Sequence, residues 1–167
     1  MLTIFLSSLV IVSALLHLRA EVCGPRRNIY FFKPLTMVFI ILIALQTKHA
    51  VSPFYKYAIL CGLLFSLAGD IFLMLPTDKF IAGLVSFLLA HLCYIAAFTF
   101  EGAYALNFLY AIPLLVYGAV MLRVLWPGLA SMKAPVMIYM LVIIAMAWQA
   151  LNRWAATGEQ GSALAFA

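Results

Sequence analysis

The stretch FYKYAILCGLLFSLAGDIFLML, from Phe54 to Leu75, decides the fold. A helix needs about 20 consecutive apolar residues to cross the hydrocarbon core of a bilayer, and this stretch is long enough. It carries one acid, Asp70, close to its end. An ionised carboxylate is costly in hydrocarbon, so intramembrane acids are rare and usually have a partner or a function. We therefore expect Asp70 to belong to a polar site.

The composition of the whole chain agrees with a lipid environment. Of the 167 residues, 68% are apolar and only 9% are charged. A soluble domain of this size could not bury so much apolar surface. Long apolar runs rich in Leu and Ile, with little alternation, favour helices over a barrel. The predicted fold is all-α, a polytopic transmembrane helical bundle.

The apolar windows predict six complete helices and the start of a seventh, all in one domain over residues 1–167. The second span begins at Pro34 and is short, so it either tilts little or includes Phe31 and Phe32 from the preceding loop. In the fifth, Pro113 is expected near the middle as a kink. Arg153 is expected to anchor the end of the sixth. The predicted spans are 2–18, 34–46, 54–75, 80–100, 104–125 and 135–151, and the chain stops inside a seventh helix that starts at 162–167.

The basic residues predict the topology, since cytoplasmic loops carry an excess of Lys and Arg. The net charge of +5 comes from residues scattered at the segment ends, which excludes a nucleic-acid partner. One side of the membrane collects more of them than the other, so we expect the N-terminus outside. The richer side holds Arg19, Arg26, Arg27, Lys33, Lys79, Arg123 and Lys133, and the poorer side holds Lys48, Lys56 and Arg153.

Several polar residues are predicted at similar depth on the cytoplasmic side. At 1.5 Å per residue, Asp70 lies roughly 7 Å from its helix end and His91 roughly 16 Å deep. Lys33 stands at the cytoplasmic start of the second helix. We therefore expect these groups to share one site. The groups expected there also include Ser66, Tyr94 and Tyr139, and Tyr117 falls in the same half of the bundle.

Each of these residues can instead have a purely structural role. Asp70 and Lys33 can form an ion pair with no further role, and Lys33 can extend to the headgroups. His91 can hydrogen-bond a neighbouring helix, a contact common in membrane proteins. The tyrosines can serve packing alone. Gly62, Gly69 and Gly83 are expected to allow close approach of helices.

No metal or cofactor is predicted. An intramembrane zinc site needs about three nitrogen or carboxylate ligands and an open position. The chain has three histidines, His17, His49 and His91, and the first two stand near opposite ends of their helices. The sequence has no H-E-x-x-H, G-x-S-x-G or glycine-rich phosphate loop.

Three motifs in order resemble the YhhN-type lysoplasmalogenase family. They are FFKPLTM at 31–37, GLLFSLAGDIFLMLP at 62–76 and FIAGLVSFLLAHLCYIAAF at 80–98, and the stretch 135–150 resembles the sixth helix of that family. The resemblance implies an integral protein of the bacterial inner membrane. It also implies about eight helices and a Ser-Asp motif in the seventh, so we expect this chain to be truncated after the sixth.

The resemblance implies a lipid hydrolase for the full-length protein. The substrate would be a lysophospholipid whose vinyl ether bond is cleaved to a fatty aldehyde and a glycerophospho headgroup. Acid and base catalysis would then fall to Asp70 and His91, and Lys33 would hold a lipid phosphate. The substrate-binding residues would be Lys33, Ser66, Tyr94 and Tyr139. Two other functions stay open: a proton-coupled transporter that relays protons through Asp70 and His91, and a non-catalytic membrane protein. The sequence leaves the oligomeric state open.

Overall fold

The chain folds into six long helices in the computed structural model, which describes residues 2–47, 52–75, 79–100 and 106–157. No strand occurs among these residues, and six helical spans are each long and apolar enough to cross a membrane. The fifth span, Phe108–Gly128, includes a 3₁₀ turn at each end. The predicted all-α membrane fold is confirmed. The helices are α1 (Leu2–Cys23), α2 (Arg26–Gln46), α3 (Pro53–Met74), α4 (Phe80–Phe100), α5 (Ala111–Leu125) and α6 (Lys133–Thr157). The predicted start of a seventh helix at 162–167 lies outside the described residues.

The helices group into two compact units. Unit 1 comprises Met1–Ala90 and unit 2 comprises His91–Ala167, so the division falls within α4. Each unit is described by itself below. The prediction of one domain over the whole chain stays a prediction.

Two helices of unit 1 extend further than the apolar windows suggest. Helix α1 continues past Arg19 to Cys23, and α2 begins at Arg26 rather than at Pro34. Apolar windows stop at charged residues, but backbone hydrogen bonds continue a helix into the polar headgroup layer. Pro34 therefore lies inside α2, where it has no N–H to donate to the carbonyl of Tyr30.

Two predictions for unit 2 are wrong in detail. Pro113 lies in the first turn of α5, directly after a 3₁₀ turn at Phe108–Tyr110, and not in the middle of a helix. A proline is tolerated there because the first N–H groups of a helix have no intrahelical acceptor. Arg153 lies within α6 and is only 3% exposed, so it does not mark the helix end.

Polar contacts join α1, α2 and α3 inside unit 1. The Ser13 hydroxyl lies 2.8 Å from that of Thr36, and both hydroxyls donate to the carbonyl of Phe32. At the other end of α2, the Lys56 ammonium of α3 donates to the carbonyls of Leu45 and Thr47 at 2.8 and 3.0 Å. These carbonyls belong to the last turn of α2, which has no further N–H partners of its own.

Small residues allow α3 and the first half of α4 to pack closely. A Cβ at Gly69 would lie 2.8 Å from the Phe87 ring, and a Cβ at Gly83 would lie 2.7 Å from Leu73. The Ser86 hydroxyl donates to the Phe65 carbonyl at 2.7 Å. Small residues and interhelical hydrogen bonds are the usual means of helix association in lipid. This packing fixes the segment of α3 that carries Asp70.

A neutral hydrogen-bonded cluster joins the start of α5 to α6 in unit 2. The Asn152 side chain accepts from the Asn107 backbone N–H at 2.7 Å and donates to the Trp148 carbonyl. The Trp148 indole donates to the Asn107 carbonyl at 2.9 Å, and the Asn107 side chain accepts from the Leu109 N–H. We call these residues, Asn107, Trp148 and Asn152, the asparagine cluster.

Candidate functional site

An ion pair between α2 and α3 is the central feature of unit 1. The Lys33 ammonium lies 3.1 Å from Oδ1 of Asp70, and the two side chains are 31% and 11% exposed. The Asp70 side chain is therefore largely shielded from water and lipid, and it faces a cation on the neighbouring helix. Such a pair requires good geometry, because removing the charges from water is costly. The expected pairing of the intramembrane acid is present.

The local sequence places Asp70 at this position. Gly69 precedes it and packs against Phe87, which keeps α3 close to α4 at this level. Ser66, a predicted substrate-binding residue, lies one helical turn before Asp70 and is half-buried. Asp70 and Lys33 both lie within roughly 10 Å of the helix ends that share one side of unit 1. That depth borders the headgroup layer, where the hydrocarbon core gives way to polar groups.

A cavity of about 410 Å³ lies at the same side of unit 1. Helices α1, α2 and α3 all contribute to its wall, which combines charged, polar and apolar side chains. The volume is in the range of about 300–1,000 Å³ found for small-molecule sites. We call it the unit 1 cavity; its lining residues are His17, Glu21, Ile29, Tyr30, Lys33, Leu73, Met74 and Leu75.

Sequence reasoning identified Lys33 but missed His17, Glu21 and Tyr30 as cavity residues. His17 and Glu21 are four residues apart and share a helix face, which is visible only if α1 continues past Arg19. Nδ1 of His17 is buried and has no hydrogen-bond partner among the described residues. The available signal was the four-residue spacing of these two titratable residues in a mostly apolar helix.

His91 lies in unit 2 with two of the predicted substrate-binding residues. Its ring meets the Tyr139 ring edge to face at 5.5 Å between centroids and an interplanar angle of 90°. The Tyr94 ring, on the next turn of α4, lies 6.2 Å away at 74°. Edge-to-face contacts of this kind fix the orientation of an aromatic ring. The structure thus brings together His91, Tyr94 and Tyr139.

The residues of the predicted site lie in two groups, one in each unit. Lys33 and Asp70 meet in unit 1, and His91 meets two tyrosines in unit 2. The convergence of both parts on one site stays a prediction. Tyr117 is 65% exposed on α5, as expected for a side chain in contact with lipid, so we do not include it.

The described residues offer no metal site. Among residues 2–47, 52–75, 79–100 and 106–157, no three His, Cys, Asp or Glu side chains are grouped so that they could hold an ion.

Comparison with known proteins gives one consistent result. The sequence model of the YhhN family matches residues 28–167. Proteins named "Uncharacterized membrane protein YhhN" from Escherichia coli O6:H1 and O157:H7 are each 33% identical over 149 residues, covering 87% of this chain and 69% of theirs. The protein of that name from Shigella flexneri matches equally. No solved structure matches.

Proposed function

The chain belongs to the YhhN family of integral membrane proteins, and on that premise we propose that it is a lipid hydrolase. The proposed substrate is a lysophospholipid with a vinyl ether bond, and the products are a fatty aldehyde and a glycerophospho headgroup. The proposed location is the bacterial inner membrane with the N-terminus outside. The observation that carries the proposal is the Lys33–Asp70 pair beside the unit 1 cavity.

The proposed reaction is a hydrolysis that begins with protonation of the vinyl ether. A proton adds to the alkene carbon that is remote from the oxygen, which leaves an oxocarbenium ion. Water adds to that cation and loses a proton, giving a hemiacetal. The hemiacetal then breaks its carbon–oxygen bond to the glycerol, releasing the aldehyde and the glycerol hydroxyl. One water is consumed, and the proton taken up in the first stage is returned.

Asp70 suits the cationic stage of this reaction. The Asp70 carboxylate is held in place by its ion pair with the Lys33 ammonium. An ionised carboxylate at the edge of an apolar region stabilises a developing positive charge far more than it would in water. It can also accept the proton of the attacking water. We therefore assign to Asp70 the stabilisation of the oxocarbenium ion and the activation of water.

Lys33 is assigned to the lipid phosphate as well as to Asp70. An ammonium group has three N–H donors, and one of them serves Asp70. The cavity wall includes Lys33, so its other donors can reach a phosphate held there. A phosphate at this depth would place the vinyl ether, which follows the glycerol backbone, further into the apolar region.

His91 is the second proposed catalytic residue, and this assignment rests only on the chemistry of its imidazole ring. Imidazole is the side chain that exchanges a proton most readily near neutral pH. Tyr94 and Tyr139, whose rings meet that of His91, are assigned to its orientation and to substrate binding. Ser66, one turn before Asp70, is assigned to the substrate or to water.

The test is aldehyde release by the purified chain in lipid vesicles. We expect a long-chain aldehyde to form from a vinyl ether lysophospholipid, and none from the matched ester lysolipid. Asp70→Asn should reduce turnover at least about 100-fold, the lower range for acid–base groups. Asp70→Glu, which keeps the carboxylate, should retain measurable turnover and serves as the matched control.

Three results would contradict the proposal. The first is the absence of aldehyde from the folded wild-type chain. The second is near wild-type turnover by Asp70→Asn. The third is substrate-dependent flux across the vesicle membrane without covalent change, which would identify a transporter instead.

A further inference from the structure

A second cavity, between α5 and α6 of unit 2, has a wall made only of apolar side chains and one glycine. Its volume is about 230 Å³. The buried Gly118 brings the two helices close together at this level, because a Cβ there would lie 2.5 Å from Cδ1 of Ile144. We call this cavity the α5–α6 groove; its lining residues include Leu115, Gly118, Ala119, Met137, Leu141 and Ile144.

Both walls of the α5–α6 groove lead to a basic residue at the same end. On α5, Ala119 and Arg123 are four residues apart and share a helix face. On α6, Lys133 and Met137 have the same spacing. Residues 126–132 connect the two helices by short 3₁₀ turns, so the end of α5 and the start of α6 lie on one side. The groove therefore has two cations at its mouth.

No acid of unit 2 is available in the sequence nearby to balance these cations. Residues 102–158 contain no Asp or Glu. Neither Arg123 nor Lys133 forms an ion pair with another described side chain. The Lys133 ammonium lies 4.7 Å from the centre of the Trp126 ring, a contact that orients it without neutralising its charge. Positive charge thus collects at one end of an apolar groove.

The helix dipoles account for only one of the two cations. Arg123 lies in the last turn of α5, where the free carbonyl groups favour a cation. Lys133 lies in the first turn of α6, where a cation is disfavoured. An anion bound between them would stabilise both charges, whatever the direction of the helix.

The dimensions of the groove fit the acyl chain of one bilayer leaflet. Leu115 lies roughly 12 Å from Arg123 along α5, and Ile144 lies roughly 16 Å from Lys133 along α6. Half of the hydrocarbon core of a bilayer is about 15 Å thick. Trp126 is 41% exposed at the same end, as is usual for aromatic side chains at the level of the headgroups. An apolar cavity does not hold ordered water, so in a bilayer hydrocarbon fills the groove.

We propose that the α5–α6 groove binds an anionic phospholipid of the surrounding bilayer as a structural ligand. One acyl chain lies in the groove, and the phosphate lies between Arg123 and Lys133. Basic residues at the mouth of a cleft between membrane helices are the chemistry that recognises anionic headgroups. This lipid is not the proposed substrate and undergoes no reaction, so the inference goes beyond the proposed function. Because it binds only the folded pair of helices, it stabilises unit 2.

The test is equilibrium binding of diacyl phosphatidylglycerol to the purified chain in detergent, with phosphatidylcholine of the same acyl chains as the matched neutral lipid. We expect the anionic lipid to bind about tenfold more tightly, because two cations and no acid meet its headgroup. The double variant Arg123→Gln with Lys133→Gln should weaken phosphatidylglycerol about tenfold and leave phosphatidylcholine unchanged. Arg27→Gln, which removes an exposed cation of α2, is the matched control and should change neither affinity.

A second pair of variants tests the groove itself. Ala119→Phe fills the groove from an exposed position and should weaken both lipids several-fold. Val120→Phe adds the same ring at the next residue, which is exposed and does not line the groove, and should have no effect. Circular dichroism on all variants checks that their helical content is that of the wild-type chain.

Four results would overturn the inference. They are equal affinity for the two lipids, equal losses in Arg27→Gln and the double variant, equal losses in Ala119→Phe and Val120→Phe, and competition by soluble glycerol phosphate at the concentration of the lipid. The last would identify a soluble phosphate compound as the ligand. None of these measurements involves aldehyde release, so the inference and the proposed function can fail separately.

Discussion

The unit 1 cavity and the asparagine cluster of unit 2 are both polar regions in an apolar protein, but they differ in how fully their groups are used. In the cluster, Asn107, Trp148 and Asn152 bind one another and the adjacent backbone. In the cavity, Lys33 has spare donors, Nδ1 of His17 has no partner among the described residues, and Glu21 has no described counterion. A network whose hydrogen-bonding groups are all paired stabilises the fold, whereas unpaired donors and charges around a cavity are available to bind a ligand.

The largest expected effect comes from replacing both members of the ion pair by apolar residues. A buried pair replaced by well-packed apolar side chains often leaves stability nearly unchanged, because the cost of desolvation disappears with the charges. We expect Lys33→Met combined with Asp70→Leu to keep the thermal transition in detergent and to lose at least about 100-fold in aldehyde release. Lys33→Met alone should be less stable than the double variant, since it leaves Asp70 unpaired.

The opposite result would exclude the ion pair from the reaction. If the double variant turned over substrate at the wild-type rate, the ion pair would have no role in turnover, as is expected for the asparagine cluster. Circular dichroism on both variants supplies the helical content against which turnover is normalised.

A smaller effect is expected from filling the close contact beside Asp70. In Gly69→Ala the added methyl group meets the Phe87 ring at 2.8 Å, so α3 and α4 must separate locally. Overpacking of this kind typically costs about 1–3 kcal/mol, and here it also displaces the neighbouring carboxylate. We expect both a lower unfolding temperature and reduced turnover. Gly128→Ala is the matched control, because nothing lies within 4 Å of a Cβ at that position. Equal unfolding temperatures for the two variants would show that the close packing at Gly69 is not required.

The smallest effect is expected in the asparagine cluster. Asn152→Leu removes two hydrogen bonds, one to the Asn107 N–H and one to the Trp148 carbonyl. Hydrogen bonds between membrane helices average about 0.6 kcal/mol, so we expect a loss near 1 kcal/mol in unfolding free energy. Turnover per folded molecule should stay unchanged. A turnover defect without a loss of stability would contradict the comparison, because it would give a closed network a role in the reaction.

Hydrophobicity predicted the helices well and their ends poorly. Helix α4 spans Phe80–Phe100, the same bounds that the apolar window gives. Helix α2 begins at Arg26, because a helix continues through charged residues wherever its backbone hydrogen bonds are formed near the headgroups. Pro113 was expected in mid-helix but lies in the first turn of α5, and the position of a proline relative to the helix start decides its effect.

The candidate site could be predicted only as far as depth along the helices allows. Depth placed Lys33 and Asp70 near the same membrane interface, and the structure pairs them. Depth alone does not give the direction of a side chain around its helix, so Tyr117 falls in the same half of the bundle as the predicted site although its side chain is exposed. The cavity residues of α1 were missed because their shared face depends on the true end of that helix.

Two lysines bridge α2 and α3 at opposite ends of the same helix pair. Lys56 of α3 binds the last carbonyls of α2, and Lys33 of α2 binds Asp70 near the end of α3. Sliding one helix along the other by a single residue would move the groups by about 1.5 Å, enough to break contacts of this length. The two bridges together therefore fix the axial alignment of the helices. A lysine far from the cavity thus helps to keep the carboxylate within reach of its ammonium.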